Sequence, residues 1–477
     1  MKTKSNNRVV YWHIPNMLML MIILCLSGCK DDNESPDSAP FDPSKSVVIS
    51  DFTPKTGGIG QRLVIYGENF GNDPKIIDLK IGGKPATIIG VKNNGLYCLV
   101  PPQAYSGTIE MTIGEGEKTV YAKSETDFSY QKKMVVSTLC GYRNERDDQG
   151  WKDGSFATVA GFQKDCFMKF DPKLPHLLYC AFDGNEIRLL NFKDSVVTTP
   201  ITRSMGQWDR FRSVDFTRDG EKMIIANDYA GNGTNSLSVS ILTRNPSTGL
   251  FESPQQLAAY KQCNGAVIHP VNGEMYFNSY EKGQFFRYDM ENYYNGRPFT
   301  VKDYEELFKI QDNEWEFNIQ IHPSGDYAYI VVVNKHYILR TDYNKVEKRF
   351  NQPYLVCGLA RNAGYVDGVG GVVRLSTPYQ GIFVKNPEYA GKSDQYDFYF
   401  TDRGNHCVRI LTPEGSVTTF AGRGTSGNSN SYGYVDGDLR LEARFDNPTG
   451  IAYNESENAF YVCDKVNRRI RKIGLEQ

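Results

Sequence analysis

The chain has 477 residues, with 54 Lys and Arg against 56 Asp and Glu and a formal net charge of −2, a balance that gives no support to a nucleic-acid ligand. With 23% charged residues it is ordinary globular material, long enough for about two or three domains. Its 30 Tyr, 26 Phe and 44 Gly favour many short strands joined by tight turns.

At the N-terminus Lys2, Lys4 and Arg8 precede an apolar run from Met17 to Leu26, followed by Ser27, Gly28 and Cys29. That is the layout of a signal peptide over residues 1–28, and the run is too short for a membrane span, which takes roughly 20 apolar residues. Leu26-Ser27-Gly28-Cys29 resembles the bacterial lipobox. The resemblance implies cleavage before Cys29, lipidation of its thiol, and attachment to the membrane through lipid alone. Lys30-Asp31-Asp32-Asn33-Glu34 resembles the acidic sorting signal of Bacteroidetes lipoproteins, which implies an outer-membrane, cell-surface address. Residues 29–44, rich in Pro, Ser and Asp, read as a flexible tether. Of the ten cysteines, Cys25 leaves with the signal, and the eight beyond Cys29 include no CxxC pair. Cys140, Cys180, Cys357, Cys407 and Cys463 lie in strand-like apolar runs and are expected to be buried thiols.

From Val47 short strands alternate with glycine turns: Asp51 to Gly60, Leu63 to Gly67, Asn69-Phe70-Gly71, Ile81-Gly82-Gly83, then Cys98-Leu99-Val100-Pro101. This order resembles the IPT/TIG domain. The resemblance implies an immunoglobulin-like sandwich over residues 45–130, used as a spacer or contact module.

From residue 131 to 477 two elements repeat. Phe398 to Arg409, with Asp402 and Asn405, matches Phe460 to Arg471, with Asp464 and Asn467, and a weaker copy carries Asp183, Asn185 and Arg188. The second element is Gly364-Tyr365-Val366-Asp367-Gly368, Gly433-Tyr434-Val435-Asp436-Gly437 and Gly150-Trp151-Lys152-Asp153-Gly154. These residues resemble the NHL repeat. The resemblance implies a β-propeller whose Asp, Asn and Arg positions are scaffold, with short polar side chains fixing turns. Six inner strands are expected, at Phe167–Phe170, Ser213–Thr217, Gly265–His269, Asn318–His322, Gly381–Lys385 and Gly450–Asn454, hence six blades. The strand Met134–Cys140 is expected to complete the last blade and leave no open sheet edge. The fold class is therefore all-β, a sandwich followed by a six-bladed NHL-type propeller.

Aligning the inner strands places Asp165, Arg212, Asn264, Glu316, Gln380 and Thr449 around one mouth, with Trp208, Trp315 and Tyr379 on the same loops. Aromatic faces beside amide, carboxylate and guanidinium groups suit a sugar ring. The expected ligand residues are Asp165, Trp208, Arg212, Asn264, Trp315, Glu316, Tyr379 and Gln380. Trp151 stands where the other copies have Tyr365 and Tyr434, and is expected to pack. The histidines, His13, His176, His269, His322, His336 and His406, make no metal-binding spacing, and His269 and His322 recur at equivalent turns. No cofactor, metal or catalytic residue is assigned, and no Gly-x-Ser-x-Gly elbow occurs.

What the combined resemblance implies is a surface lipoprotein that binds a polysaccharide or oligosaccharide without catalysis, within a polysaccharide-utilisation system that includes an outer-membrane importer. Two rival functions remain open. One is a propeller glycoside hydrolase or lyase using Asp165, Glu316 or Arg212; the other is a protein-contact scaffold at the outer membrane.

Overall fold

The computed structural model describes residues 39–477 except 117, 143–150, 160, 185, 207, 229–236, 260–261, 281, 298–302, 311–315, 425–429 and 477. The signal run, Cys29, the first part of the tether, Gly150, Asn185 and Trp315 lie outside the described residues. The described residues form two compact units, one made of residues 39–55, Arg62–Leu99 and Thr108–Asp127, the other of Thr56–Gln61, Val100–Gly107 and residues 128–476. No helix among the described residues is long and apolar enough to cross a membrane.

The first unit is a sandwich of two antiparallel sheets. One joins Val48–Thr53, Arg62–Glu68, Gly95–Leu99 and Thr87–Lys92, the other Lys84–Pro85, Ile77–Ile81, Ile109–Ile113 and Val120–Lys123. Apolar residues alternate along these strands, so one face of each sheet is apolar: Ile77, Leu79 and Ile81 are buried, as are Ile109, Met111 and Ile113. With Leu63, Ile65, Leu96 and Cys98 they make the core.

Among the described residues the second unit contains six antiparallel sheets, here blades 1 to 6, of four main strands each. The innermost strands are Cys166–Phe170, Phe211–Phe216, Ala266–Ile268, Phe317–Ile321, Pro378–Lys385 and Pro448–Asn454. Each touches the next, and the last touches the first, so the sheets close into a ring. The second strands read as unbroken apolar runs because each blade packs on two neighbours: every residue of Leu177–Phe182, Tyr327–Val332 and Ala459–Asp464 is buried. Phe167, Tyr179 and Leu189 of blade 1 thus share a core with Val214, Met223 and Ile225 of blade 2. Cys166 and Cys180 of blade 1 meet Tyr461 and Cys463 of blade 6 in the same way. Met134–Cys140 pairs antiparallel with Arg469–Leu475, from Met134 opposite Leu475 to Cys140 opposite Ile470, so the start of the unit supplies the outer main strand of blade 6. All eight described cysteines are buried thiols.

The two repeated elements lock each other. Asp402 accepts from Asn405 Nδ2 (2.7 Å), Arg409 Nη1 (2.9 Å) and the Ser376 backbone N (2.7 Å). Arg409 also donates to Asp367 Oδ1 (2.7 Å) and the Val366 carbonyl (3.0 Å), and lies over the Tyr365 ring. Blade 6 repeats this with Asp464, Asn467 and Arg471, the last reaching Asp436 under Tyr434. In blade 1 Arg188 donates to Asp153 Oδ1 (3.0 Å) beneath Trp151, which packs edge-on to Phe182. The middle blades solve the same problem without charge: Asn227 Oδ1 accepts from the backbone N of Asp209 (2.9 Å) and Arg210 (3.2 Å), and Asn278 Oδ1 from Gly265 (2.7 Å). A neutral amide needs no buried arginine, which is why the Asp-x-x-Asn pattern is lost there.

His269 and His322 organise turns, His269 Nδ1 accepting from the backbone N of Val271 and Asn272 (both 3.2 Å). Burial holds the imidazoles of His269, His322 and His406 below the usual histidine range, against an opposing pull from Glu274, Asp394 and Asp446 respectively. Their folded values lie below the unfolded 6.5, so what they contribute is present above that pH and is lost as pH falls through it. A His322→Gln variant should therefore gain stability relative to the wild type between about pH 7.5 and pH 5. Paired thermal melts check this, and a variant that loses ground on acidification contradicts it.

Candidate functional site

Antiparallel pairing puts the start of each inner strand beside the end of the second strand: Cys166 faces Phe182, Phe211 faces Asn227, and Pro448 faces Asp464. Residues just before the inner strands and just after the second strands therefore share one mouth of the ring. Arg212 is its centre. Its side chain is 6% exposed, and its guanidinium donates to Asp183 Oδ2 (2.9 Å) from blade 1 and to Glu316 from blade 4, with Asp228 Oδ2 at 4.0 Å. Arg210 doubles the grip on Asp183 through Nε (2.7 Å) and Nη2 (2.6 Å), and Asn334 Nδ2 reaches Glu316 at 3.4 Å. Asp165 accepts from Lys465 Nζ (3.0 Å) and pairs with Arg403 (3.2 Å), and Arg403 lies 5.4 Å from the Tyr379 ring centre.

Four carboxylates, Asp165, Asp183, Asp228 and Glu316, are thus set among four cations, Arg210, Arg212, Arg403 and Lys465, with Lys164 a further positive neighbour of Asp183. Burial alone would raise the Asp183 carboxyl, but Arg210 and Arg212 outweigh it and hold it below the usual range. Asp228, further from Arg212, is raised by burial. Burial opposes the Arg212 charge, yet Glu316, Tyr379 and Asp183 push its pKa up. Burial also raises the Tyr379 hydroxyl well above its ordinary value, so it remains a phenol. The mouth is a fixed, nearly neutral array of donors and acceptors.

Of the residues expected to bind ligand, Arg212 and Glu316 are in direct contact, and Asp165 and Tyr379 share Arg403. Asn264, just before the third inner strand, is 2% exposed; its backbone N donates to Asn278 Oδ1 (3.2 Å), while its own Oδ1 and Nδ2 have no hydrogen-bond partner among the described residues. Three expectations are corrected. Tyr379 is 2% exposed, so its ring offers no open face to a sugar. Trp208 is a core residue, 3% exposed, packed on Phe211 with its indole N donating to Ser240 Oγ (2.8 Å). Gln380 is a structural tie across the ring: Oε1 accepts from the backbone N of Met168 (2.8 Å) and Ile451 (3.1 Å), and Nε2 donates to the Met168 carbonyl (2.8 Å). Thr449 Oγ1 likewise accepts from Cys166 N (3.2 Å). Trp208→Ala should cost about 3–5 kcal/mol of unfolding free energy in urea titration; a loss under about 1 kcal/mol would return it to the surface.

Asp183, Asp228, Arg210, Arg403 and Lys465 were not foreseen. Asp183 reads as a scaffold residue because it sits in a copy of the repeat. In register, however, Arg188 pairs with Cys180 as Arg409 pairs with Phe400. This places Phe182 where Asp402 stands and moves Asp183 one residue on, into the mouth. The usable signal was spacing: Asp183 precedes Arg188 by five residues, whereas Asp402 precedes Arg409 by seven.

The IPT/TIG domain model matches residues 47–130. Human NHL repeat-containing protein 2 is 29% identical over 114 residues, a match that spans 24% of this chain and only 14% of that protein. A solved structure from Bacteroides thetaiotaomicron, provisionally called a phosphatase, is 48% identical with a TM-score of 0.85, covering 92% of this chain and 99% of its own. Structures of auxiliary nutrient binding proteins from Bacteroides thetaiotaomicron and Bacteroides ovatus are 47% and 36% identical, with TM-scores of 0.82 and 0.67, each covering 92% of this chain and all of its own. The chain belongs to the family of these Bacteroides proteins. In family terms it is an IPT/TIG domain joined to an NHL-type β-propeller, and the ion-pair array lies in the propeller.

Proposed function

We propose that this protein is a lipoprotein, anchored through Cys29 to the outer membrane and facing the cell exterior, that captures a neutral oligosaccharide or polysaccharide at the propeller mouth without cleaving it. The observation that carries the reading is the mouth itself, where charges cancel in pairs and the buried Asn264 amide has no hydrogen-bond partner among the described residues. A sugar hydroxyl both donates and accepts; pinned carboxylates accept from it, guanidinium groups donate to it, and one amide can do both for neighbouring hydroxyls. Side chains already held by ion pairs lose little freedom when a ligand arrives. Relatives named as auxiliary nutrient binding proteins, matched over the whole of their solved chains, support a capture role. Delivery to an outer-membrane importer would follow from that role.

Affinity electrophoresis against neutral polysaccharides tests the proposal, with a reducing-end assay on the same mixtures. Retardation with no released ends is expected. Released ends, lost in Asp165→Ala or Glu316→Ala, would make the protein a hydrolase; no retardation by any glycan, with a protein recovered by cross-linking on cells, would make it a scaffold.

A further inference from the structure

On the face opposite the mouth, where inner strands turn into second strands, a cavity of about 920 Å³ lies between blades 2, 3 and 4. Its walls come from the turn after Phe211–Phe216 (Thr217, Arg218, Asp219), the turn Asn272–Glu274, the single helical turn Glu291–Tyr294, and the blade 4 hairpin residues Tyr343 and Lys348. The volume is that of a small-molecule site. None of its residues belongs to the array described above.

Some of the lining is already satisfied. Glu274 accepts from Arg287 Nε (3.0 Å), the Tyr276 hydroxyl (2.9 Å) and Asn272 Nδ2 (3.1 Å), and Asn272 also donates to the Tyr343 hydroxyl (2.7 Å). This network fixes one wall. Other groups keep capacity. Arg218 and Lys348 are exposed and make no ion pair or hydrogen bond through their side chains among the described residues. Among the described residues Asp219 accepts hydrogen bonds from neutral donors, Thr217 Oγ1 (2.6 Å) and Glu221 N (3.0 Å), with Lys173 a positive neighbour, and the Asp289 carboxylate accepts from Glu291 N (3.0 Å). Tyr294 presents a ring that is 55% exposed.

We propose that this cavity is a second saccharide site, taking a short segment of a neutral glycan. Two uncommitted cations, two carboxylates with spare lone pairs and an open tyrosine face supply donors, acceptors and a stacking surface together. Because both signs are present and nearly balanced, a uronate or sulfated sugar would gain no net attraction, which selects for the neutral class. Two sites on opposite faces of one ring would raise retention of a long glycan by effective concentration, provided the chain can reach both. The assignment rests on this cavity alone and stands or falls separately from the mouth.

The test is calorimetric titration with cellohexaose, xylohexaose, mannohexaose, maltohexaose and, as an acidic control, hexagalacturonate. Wild type, the mouth variant Glu316→Gln and the cavity double variant Arg218→Ala/Tyr294→Ala are compared, with Lys348→Ala as an independent cavity change. All cavity substitutions are of exposed side chains, and circular dichroism verifies folding. The expected result is a neutral hexasaccharide that titrates in two separable components, one weakened at least about 10-fold in the cavity variants and the other, at the mouth, weakened in Glu316→Gln. Saccharide binding that responds to Glu316→Gln alone would overturn the second site and leave the mouth reading intact. Binding restricted to hexagalacturonate, or neutral binding that ignores the cavity variants, would also overturn it.

Discussion

Arg471→Ala is expected to lower the unfolding free energy by about 3–5 kcal/mol, among the largest losses any single substitution in the propeller should produce. Arg471 is fully buried and holds three things at once: Asp464 Oδ2 at 2.8 Å, the Val435 carbonyl at 2.8 Å and the Arg444 carbonyl at 2.9 Å, besides Asp436. Removing it strands the Asp464 carboxylate, which is also fully buried, inside the blade that closes the ring. The loss should depend on pH with a definite sign. Burial already pushes the Asp464 carboxyl up to about 6 against the pull of Arg471. Without the arginine its folded value rises further above the unfolded 3.8, so the variant's stability is fully present only below the unfolded value and is lost as pH rises from there through the folded one. Urea denaturation of variant and wild type at about pH 5 and pH 8 should show the larger gap at pH 8. A gap equal at both pH values, or under about 1 kcal/mol, would mean that the Asp–Arg pair is not what secures this blade.

Glu316→Gln is expected to weaken retention of the captured glycan by about 10- to 100-fold, the consequence of losing a hydrogen-bond acceptor that carries charge. Stability should change by less than about 1 kcal/mol, because Arg212 keeps Asp183 at 2.9 Å and is not left unpaired. The separation of the two effects is the diagnostic. A large stability loss with unchanged retention, read from melts and affinity gels on one preparation, would make Glu316 a strut of the ring and remove it from the site.

The legible parts of this fold are those whose physics is local. Phe398 to Arg409 and Phe460 to Arg471 each run from one strand through a short turn into the next, so the buried Asp402–Arg409 and Asp464–Arg471 pairs could be read as scaffold from spacing alone. Closure by Met134–Cys140 was also readable, since an unpaired edge beside Arg469–Leu475 is costly and this early apolar strand can cover it. What was hidden depends on distance. Nothing near Gln380 in the sequence shows that Met168 and Ile451 will need its amide, because those partners are 212 and 71 residues away. Trp208 offered the same ambiguity as any large amphipathic ring; the partner for its indole N–H, Ser240, lies 32 residues on. Asp183 was misread through a shift of one position in strand register, which moved a carboxylate from core to mouth. The array around Arg212 draws on blades 1, 2 and 4, so only the closed ring assembles it.

The most direct measurement is a crystal structure of the protein soaked with the neutral oligosaccharide that competes best in affinity gels. Sugar density at the mouth is predicted, with hydroxyls within hydrogen-bond distance of Glu316 and of both amide atoms of Asn264, and with Arg212 still on Asp183. A mouth that stays free of sugar while the crystals retain the ligand elsewhere, or an Asn264 amide turned toward protein groups in the bound state, would contradict the account.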